Sequence, residues 1–365
     1  MKIEILAENA FDRDGRHLSK VAWDISRNST DAKLLEVLAV DAPVNEMPSV
    51  VMCITSTILE REVIAGIKEH SMWASSSRVD NLYDFKMDEN VSPEAESFAD
   101  DARWAMRRKH SEGQGQDRFR LLLPILSTTH YTVRLNLRAC AILADYFDEL
   151  AMLNEGTRRI FEAANIQFRI VVGMLGGSSI KYKPAEILGN QIPLDKPDFA
   201  ETIGAFTVVH HNSIFSLRTH MIRHRLFTVV DDLKGWIRDG VSDKALNSPM
   251  AIGVSATNTA WLNVGTKRAC WLAQSDLWTP MLKLAGDSIG DGLMDALPCD
   301  DGDCPFKRDV QLRLEGKDPN APCPKYLQMY GILATDSQHE AIGKEINDGK
   351  RSDYWKKSEW LGDAK

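Results

Sequence analysis

Apolar residues recur every three or four positions along much of the chain, the spacing typical of amphipathic helices. Four segments share this pattern: 57–70, 133–153, 205–239 and 259–284. Two shorter apolar runs, VVMCITS at 50–56 and FTVV at 206–209, have the length of strands and lie upstream of such segments. The pattern therefore predicts an α+β fold in which small sheets pack against long helices.

Two stretches interrupt this pattern. Residues 84–117 are polar and charged and predict a surface excursion, whereas residues 173–197 are rich in glycine and proline and predict a linker. The linker divides the chain into a first domain at 1–172 and a second at 198–295. A cysteine- and aspartate-rich loop and a charged extension follow at 296–365.

The two sides of the linker carry similar elements in the same order. STTHYTVRLNLRAC at 127–140 precedes a helical run, as does TNTAWLNVGTKRAC at 257–270, so that Thr129 matches Thr259. Each is preceded by a strand-like run and a helix. This order predicts a tandem repeat, two α/β units related by a pseudo-twofold axis within one chain.

Arg223, His224 and Arg225 interrupt an otherwise apolar run, MIRHRLFTVVDD. A guanidinium is a planar fork of donors that matches a phosphate bidentately, and it also stacks on flat rings. The triplet therefore suits an anionic or π-electron-rich ligand. A solvated helix face, or a salt-bridge network with Asp231 and Asp232, is the alternative.

The triplet and its surroundings resemble the signature R-H-R-x-x-S-x-N-E-x-S-x-R of the flavin-dependent thymidylate synthases. Residues 223–225 match the R-H-R, Thr228 stands for the first serine, and Asp231 stands for the glutamate. The asparagine, the final serine and the final arginine are replaced by Val230, Leu233 and Gly235. The second half thus resembles the first part of the signature.

The first half resembles the complementary part. Ser76 and Arg78 fall on the closing S-x-R, which leaves the R-H-R positions to Gly66, Ile67 and Lys68. Residues 119–124 are similar to the family's A-R-x-x-L-P segment, residues 136–138 to its N-L-R, and Glu155 to a later glutamate. Each half keeps what the other has lost.

In that family the R-H-R side binds the flavin, and the S-x-R and A-R-x-x-L-P arginines hold the phosphate of deoxyuridylate between subunits. The resemblance implies that FAD is bound by Arg223, His224 and Arg225, with His210 and Asn136 on the cofactor side. It implies that the phosphate of a pyrimidine deoxynucleotide is bound by Ser76, Arg78 and Arg120. The implied reaction is transfer of a methyl or one-carbon unit to C5 of a deoxyuridine nucleotide. A duplicated chain would need two copies for the family's four-unit assembly, so we expect a homodimer.

The family also carries an arginine on the substrate base, eleven residues after the N-L-R asparagine. Counting places Phe147 there in the first half and Leu277 in the second. Loss of such a donor costs a factor of about 10²–10³ in rate. Two alternatives stay open: a relative acting on a pyrimidine in DNA or on a modified thymidine, as a virus modifying its own bases would need, and a non-catalytic paralogue.

The remaining candidate site residues are weaker indications of a function. Three cysteines in the polar loop would suit zinc with a fourth ligand such as His339, although their spacing matches no recognised finger: Cys299, Cys304 and Cys323. Cys140 and Cys270 lie in apolar helices and are interpreted as core residues. His210 follows an apolar strand-like run, where a core histidine is the alternative to a cofactor contact.

Charge and composition narrow the function classes. A formal net charge of −8 over 365 residues disfavours a general nucleic-acid binder and favours a small nucleotide over DNA. Six cysteines are too few for a disulfide scaffold. We find no apolar run of about 18 residues and no signal-peptide pattern in MKIEILAENAFDRD, so we expect a cytoplasmic protein without a membrane segment.

Overall fold

The computed structural model confirms a mixed α+β fold with two small antiparallel sheets. It describes these residues: 1–27, 30, 32–38, 43–67, 70–74, 84–111, 120–177, 197–222, 224, 226–268 and 275–290. In this part of the chain no helix has the length and apolar composition needed to span a membrane.

The first sheet has the strand order β1-β2-β4-β3. Its strands are β1 (Lys2–Asn9), β2 (Ser49–Thr57), β3 (His70–Ala74) and β4 (Thr128–Asn136). The helices of this half are α1 (Leu18–Arg27), α2 (Leu34–Leu38), α3 (Ile58–Gly66), α4 (Pro93–Ser111), α5 (Leu137–Ala151) and α6 (Glu155–Met174). Short 3₁₀ turns lie at Pro43–Glu46 and Arg120–Leu122.

The second sheet has the corresponding order, β5-β6-β8-β7. Its strands are β5 (Phe199–Ile203), β6 (Phe206–Ile214), β7 (Thr228–Asp231) and β8 (Pro249–Thr257). Its helices are α7 (Phe215–Met221), α8 (Leu233–Asp239), α9 (Asn258–Arg268) and α10 (Ser275–Ile289).

The central strands of the two sheets pair in the same register. In the first sheet nine pairs run from Ser49↔Asn136 to Thr57↔Thr128, and in the second nine pairs run from Phe206↔Thr257 to Ile214↔Pro249. Phe206 lies 157 residues after Ser49, and Thr257 lies 121 residues after Asn136. These two shifts therefore define a counterpart in the second half for each paired residue of the first.

The edge strands β3 and β7 obey the same shifts. Ser71 pairs with Arg134 in the first sheet, and Thr228 pairs with Ser255 in the second. The shift of 157 therefore covers β2, α3 and β3 without a gap, and it makes Thr228 the counterpart of Ser71. This is the alignment that the signature residues predict.

Backbone hydrogen bonds at the strand ends are also shared. The amide of Ile58 donates to Ser127 O at 2.9 Å, and the amide of Phe215 donates to Ser248 O at 2.9 Å. At the other end, Leu137 N donates to Pro48 O and Asn258 N to Ala205 O, both at 2.9 Å. Each helix that follows a central strand therefore begins at a corresponding residue.

The two halves meet through an antiparallel bridge between Pro124 and Ala245. Ile125 N donates to Lys244 O and Leu246 N donates to Leu123 O, both at 3.0 Å. The shift of 121 takes Ile125 to Leu246 and Leu123 to Lys244. The two hydrogen bonds are therefore equivalent under exchange of the two halves. Buried residues of both halves form one hydrophobic core around this junction.

Three segments of the chain differ from the structure that their apolar spacing predicts. Residues 133–136 belong to β4, so the helix predicted over 133–153 begins at Leu137 and ends at Ala151. The segment 205–239, predicted to be helical, holds β6, α7, β7 and α8. The polar stretch 84–117 contains α4. Short apolar runs have similar spacing in strands and helices, so period alone does not separate them.

The sequence match between 127–140 and 257–270 is wrong as a structural alignment. Thr129 lies in β4, whereas Thr259 lies in helix α9. The counterpart of β4 is β8, which the pairing places at a shift of 121 rather than 130. In the predicted linker, α6 extends to Met174 and β5 begins at Phe199, with 178–196 outside the described residues.

Candidate functional site

The R-H-R segment lies in the loop between α7 and β7. Arg223 and Arg225 are outside the described residues, but the backbone of His224 is fixed at both ends of a turn. Its amide donates to Met221 O at 3.0 Å, and its carbonyl accepts from Phe227 N at 2.9 Å. Its half-buried ring meets Trp278 edge-on, with centroids 5.5 Å apart. The ring of His224 therefore packs against Trp278 of α10.

A buried ion pair joins the two elements that flank this loop. Arg218 of α7 donates from Nε to Oδ2 of Asp231 of β7 at 2.7 Å. Their side chains are 5% and 11% exposed. Asp231 occupies the position of the signature glutamate, and its other oxygen accepts from Leu233 N at 3.0 Å. The described partner of Asp231 is therefore Arg218, a residue that the sequence analysis did not single out.

A second carboxylate extends this pair into the first half. Glu62 of α3 is fully buried, and its Oε1 accepts from Arg61 Nη2 at 2.7 Å and from Arg61 Nε at 3.0 Å. Its Oε2 lies 4.0 Å from Arg218 Nη1. Arg61 and Arg218 are counterparts, since they differ by the shift of 157. We call Arg61, Glu62, Arg218 and Asp231 the junction ion cluster.

Glu60, two residues away, is a separate buried acid. Its Oε2 accepts from Thr57 N at 2.7 Å in a capping box at the start of α3, and its Oε1 lies 4.0 Å from the amino nitrogen of Met1. Burial raises the pKa of Glu60 to about 7, opposed by the Met1 amine and by the Thr57 hydrogen bonds. Burial also raises the pKa of Tyr131, whose hydroxyl lies 3.0 Å from Ser56 Oγ. A proton on Glu60 is thus available near neutral pH.

Of the residues expected at the substrate phosphate, Ser76 and Arg78 lie outside the described residues. Arg120 is 7% exposed and lies in the 3₁₀ turn directly before the junction bridge. In the second half the position of Arg78 is Gly235, where an added Cβ would lie 2.1 Å from Asp232 Oδ2. A side chain at this position would displace the Asp232 cap of α8.

The ends of helices α3 and α7 lie close together. A Cβ added at Gly66, the counterpart of Arg223, would be 3.4 Å from Ile222 Cδ1. Ile222 directly precedes Arg223 in the R-H-R loop. The end of α3 and the end of α7 therefore converge at the junction.

The two outlying cofactor candidates have local structural partners. Asn136 caps α5, with its side-chain oxygen accepting from Ala139 N at 2.7 Å. His210 is 0% exposed, stacks on Phe199 at 5.6 Å and has Nδ1 3.3 Å from Pro197 O. Asn136 therefore has a capping role and His210 packs in the core, where its Nε2 is buried without a hydrogen-bond partner in the described part of the chain.

The position of the family's base arginine changes with the corrected register. In the first half it is Phe147, which is 0% exposed and packs on Phe161 and Phe168. Since α5 and α9 begin at counterpart residues, the shift of 121 takes Phe147 to Arg268, the last residue of α9. Leu277 was the wrong counterpart because the segments compared were a strand and a helix.

The described residues contain no cluster of three or more histidine, cysteine, aspartate or glutamate side chains that would hold a metal. The candidate zinc ligands fall outside them: Cys299, Cys304 and Cys323. Cys140 is a core residue, as predicted, and burial raises the pKa of its thiol. Cys270 lies outside the described residues.

Sequence reasoning missed the junction ion cluster, although one signal for it was available. The shift of 157 that aligns the signature also aligns Arg61 with Arg218, a cation kept in both halves of an apolar pattern. Glu60 and Glu62 gave no such signal, because carboxylates on a predicted helix are usually solvated.

No family model matches this sequence, and the comparison with curated proteins finds no similar chain. Among solved structures, thymidylate synthase X from Helicobacter pylori with FAD and dUMP covers 45% of this chain and 99% of its own, with 13% identity and a TM-score of 0.31. A second Helicobacter pylori ThyX structure with FAD and dUMP covers 50% and 100%, with 14% identity and a TM-score of 0.36. The UMP/dUMP methylase PolB from Streptomyces cacaoi, bound with 5-Br UMP, covers 50% and 96%, with 14% identity and a TM-score of 0.34. At these values the similarities alone assign no function to this chain.

Proposed function

We propose that this protein is a flavin-dependent transferase that modifies C5 of a pyrimidine deoxynucleotide, in the manner of thymidylate synthases. In this proposal the chain is a tandem repeat whose second half holds FAD and whose first half holds the substrate phosphate. Each half supplies one side of a shared site at the junction.

The observation that carries the proposal is the common register of the two halves. Strand pairing fixes a shift of 157 over β2, α3 and β3, independently of any signature. This shift takes Gly66, Ile67 and Lys68 to Arg223, His224 and Arg225, and continued counting takes Ser76 and Arg78 to Leu233 and Gly235. The second half thus keeps the R-H-R part of the motif and the first half keeps the S-x-R part. A site shared between the two halves requires such complementary parts.

The residues fit FAD by the chemistry of their donors. Two guanidiniums and an imidazole in one loop match a pyrophosphate and a flat ring. Nearby, Arg218 Nη1 is buried and has no hydrogen-bond partner in the described part of the chain. When bound, the flavin would supply the redox chemistry, and the R-H-R loop would bind and orient it.

Arg268 supports modification at C5. Its place at the end of α9 is that of the arginine which contacts the substrate base in the family that this chain resembles. A cation beside the pyrimidine would stabilise negative charge that develops on the ring. We expect Arg268→Ala to lower kcat about 100-fold, whereas Phe147→Leu in the first half leaves kcat within about threefold.

A second candidate substrate is a pyrimidine within DNA or a modified thymidine. The observation that favours it is Phe147, which occupies the base position of the first half and lies in the core. One of the two potential base sites has therefore been lost. Binding of deoxyuridine monophosphate compared with a deoxyuridine-containing oligonucleotide distinguishes the two substrates.

The test of the proposed function separates the two ligands. FAD and deoxyuridine monophosphate are titrated independently into the native chain, the Arg223→Ala/Arg225→Ala variant and the Arg78→Ala/Arg120→Ala variant. The first variant should lose FAD and the second should lose the nucleotide, each by about tenfold or more, because a charge-assisted bidentate contact is removed. If the native chain binds neither FAD nor deoxyuridine monophosphate, the protein is instead a non-catalytic paralogue.

A further inference from the structure

A buried ion pair joins the two elements that flank the R-H-R loop. α7 ends at Met221 and β7 begins at Thr228, so the loop spans six residues. Arg218 stands one helical turn before the loop and Asp231 at the end of the strand after it, with Nε and Oδ2 2.7 Å apart. The Arg218 carbonyl also accepts from Ile222 N at 3.0 Å, which continues the helical turn into the loop.

The first half provides an internal comparison. The counterpart of Arg218 is Arg61, but the counterpart of Asp231 is Ala74, which has no carboxylate. Arg61 instead donates to its neighbour Glu62. The arginine is thus present in both halves, whereas the pair that closes the loop is present only in the half that keeps R-H-R.

We propose that Arg218, acting through Asp231, is a positioning residue that fixes the R-H-R loop for cofactor binding. The cofactor part of this inference rests on the proposed function. The pair is nearly dehydrated, so its hydrogen bond is stronger than at a surface and resists opening. Glu62, 4.0 Å from Arg218 Nη1, adds a second anion that keeps the guanidinium from turning away.

Pre-organisation gives the physical link to affinity. A loop that is already held in its binding conformation loses less conformational entropy when a ligand binds. Removal of the pair would weaken the turn hydrogen bonds of His224 with Met221 and Phe227. Cofactor affinity would then fall even though no cofactor contact had been removed.

The experiment measures hydrogen exchange of the backbone over residues 219–230 in the full chain, together with FAD titration. Asp231→Asn removes the charge and keeps the shape, and we expect loop exchange to rise and FAD affinity to fall, each by about tenfold. Asp231→Glu keeps the carboxylate and should restore both to within about twofold of native.

The matched controls are Arg218→Lys and Arg61→Lys, the same substitution at counterpart positions. Arg218→Lys removes the guanidinium that faces both Asp231 and Glu62, so hydrogen exchange in the loop should be faster. Arg61→Lys disturbs the same Glu62 from the other half and should leave loop exchange and FAD affinity unchanged. Equal effects of the two lysine variants, or native exchange in Asp231→Asn, would overturn the inference.

The exchange measurement needs no ligand. If the native chain binds no FAD, the proposed function fails, while exchange in Asp231→Asn still shows whether the pair holds the loop. A fall in melting temperature without a local rise in exchange would mean that the pair only stabilises the fold, and this too would overturn the inference.

Discussion

At the residue scale, the junction brings together charges that would each be unstable alone. Glu62 is fully buried, and its oxygens face Arg61 and Arg218 from opposite halves. Dehydration of a charge costs several kcal/mol, which only close partners offset. The contact between Glu62 and Arg218 joins the two halves, while each of these residues keeps a closer partner in its own half, Arg61 and Asp231.

We expect Glu62→Ala to lower the free energy of unfolding by about 3–5 kcal/mol, since it removes the carboxylate paired with Arg61 and one of the two anions beside the buried Arg218 guanidinium. Urea denaturation measures this change. The control is Glu155→Ala, which removes a carboxylate that is 79% exposed and paired with Arg158. The control should change stability by less than about 1 kcal/mol. Equal effects at the two positions would contradict the structural role of the cluster.

Glu60 predicts a dependence of stability on pH. Its folded pKa is raised by burial to about 7 from an ordinary value of 4.5. Its contribution to stability is therefore fully present below about pH 4.5 and is lost as pH rises to about 7. Glu60→Gln keeps the capping acceptor but does not ionise, so the variant should gain about 3 kcal/mol relative to native between pH 4.5 and 8.

Unfolding free energies of native protein and Glu60→Gln at several pH values test this. The control is Glu94→Gln, because the Ser92 hydroxyl lowers the pKa of exposed Glu94. The Glu94 contribution is lost only as pH falls, so its difference from native should be flat from pH 5 to 8. A flat difference for Glu60→Gln would mean that Glu60 is ionised throughout.

At the element scale, the position of a residue in a helix or strand decides its role where the residue type fits more than one. Asn136 resembles a cofactor-side asparagine, but it is also the N-cap of α5. We expect Asn136→Ala to lower stability by about 1 kcal/mol and to leave FAD affinity within about twofold. Asn136→Asp keeps the acceptor and should restore stability. If Asn136→Ala lowered FAD affinity tenfold without changing stability, Asn136 would be a cofactor-binding residue.

At the scale of the whole molecule, the two halves form one unit with a shared core. If each half takes the place of one subunit of a four-unit assembly, two chains complete it. We therefore expect light scattering to give twice the chain mass of 40.9 kDa. A mass of one chain, with FAD and nucleotide both bound, would show that the site is complete within a single chain.

The sequence predicted the part of the fold that depends on unusual residues. The signature residues Ser76, Arg78 and Arg223 to Arg225 predicted that Ser71 matches Thr228, and the pairing of β3 and β7 has the same register. The alignment of β4 failed because Arg138-Ala139-Cys140 and Arg268-Ala269-Cys270 match by letters alone. Strand and helix share similar apolar spacings over short segments, so only pairing partners distinguish them.

The sequence by itself determined the α+β class, because this depends on local pattern; the division into two domains and the complementary signature residues stay predictions from the sequence. The tertiary structure decided which residues are counterparts and which charges meet. Arg268 replaced Leu277 only when β8 was seen to pair with β6. Glu62 and Arg218 are far apart in sequence, and their approach depends on the packing of one half against the other. Such contacts follow from the folded arrangement as a whole, which no local spacing encodes.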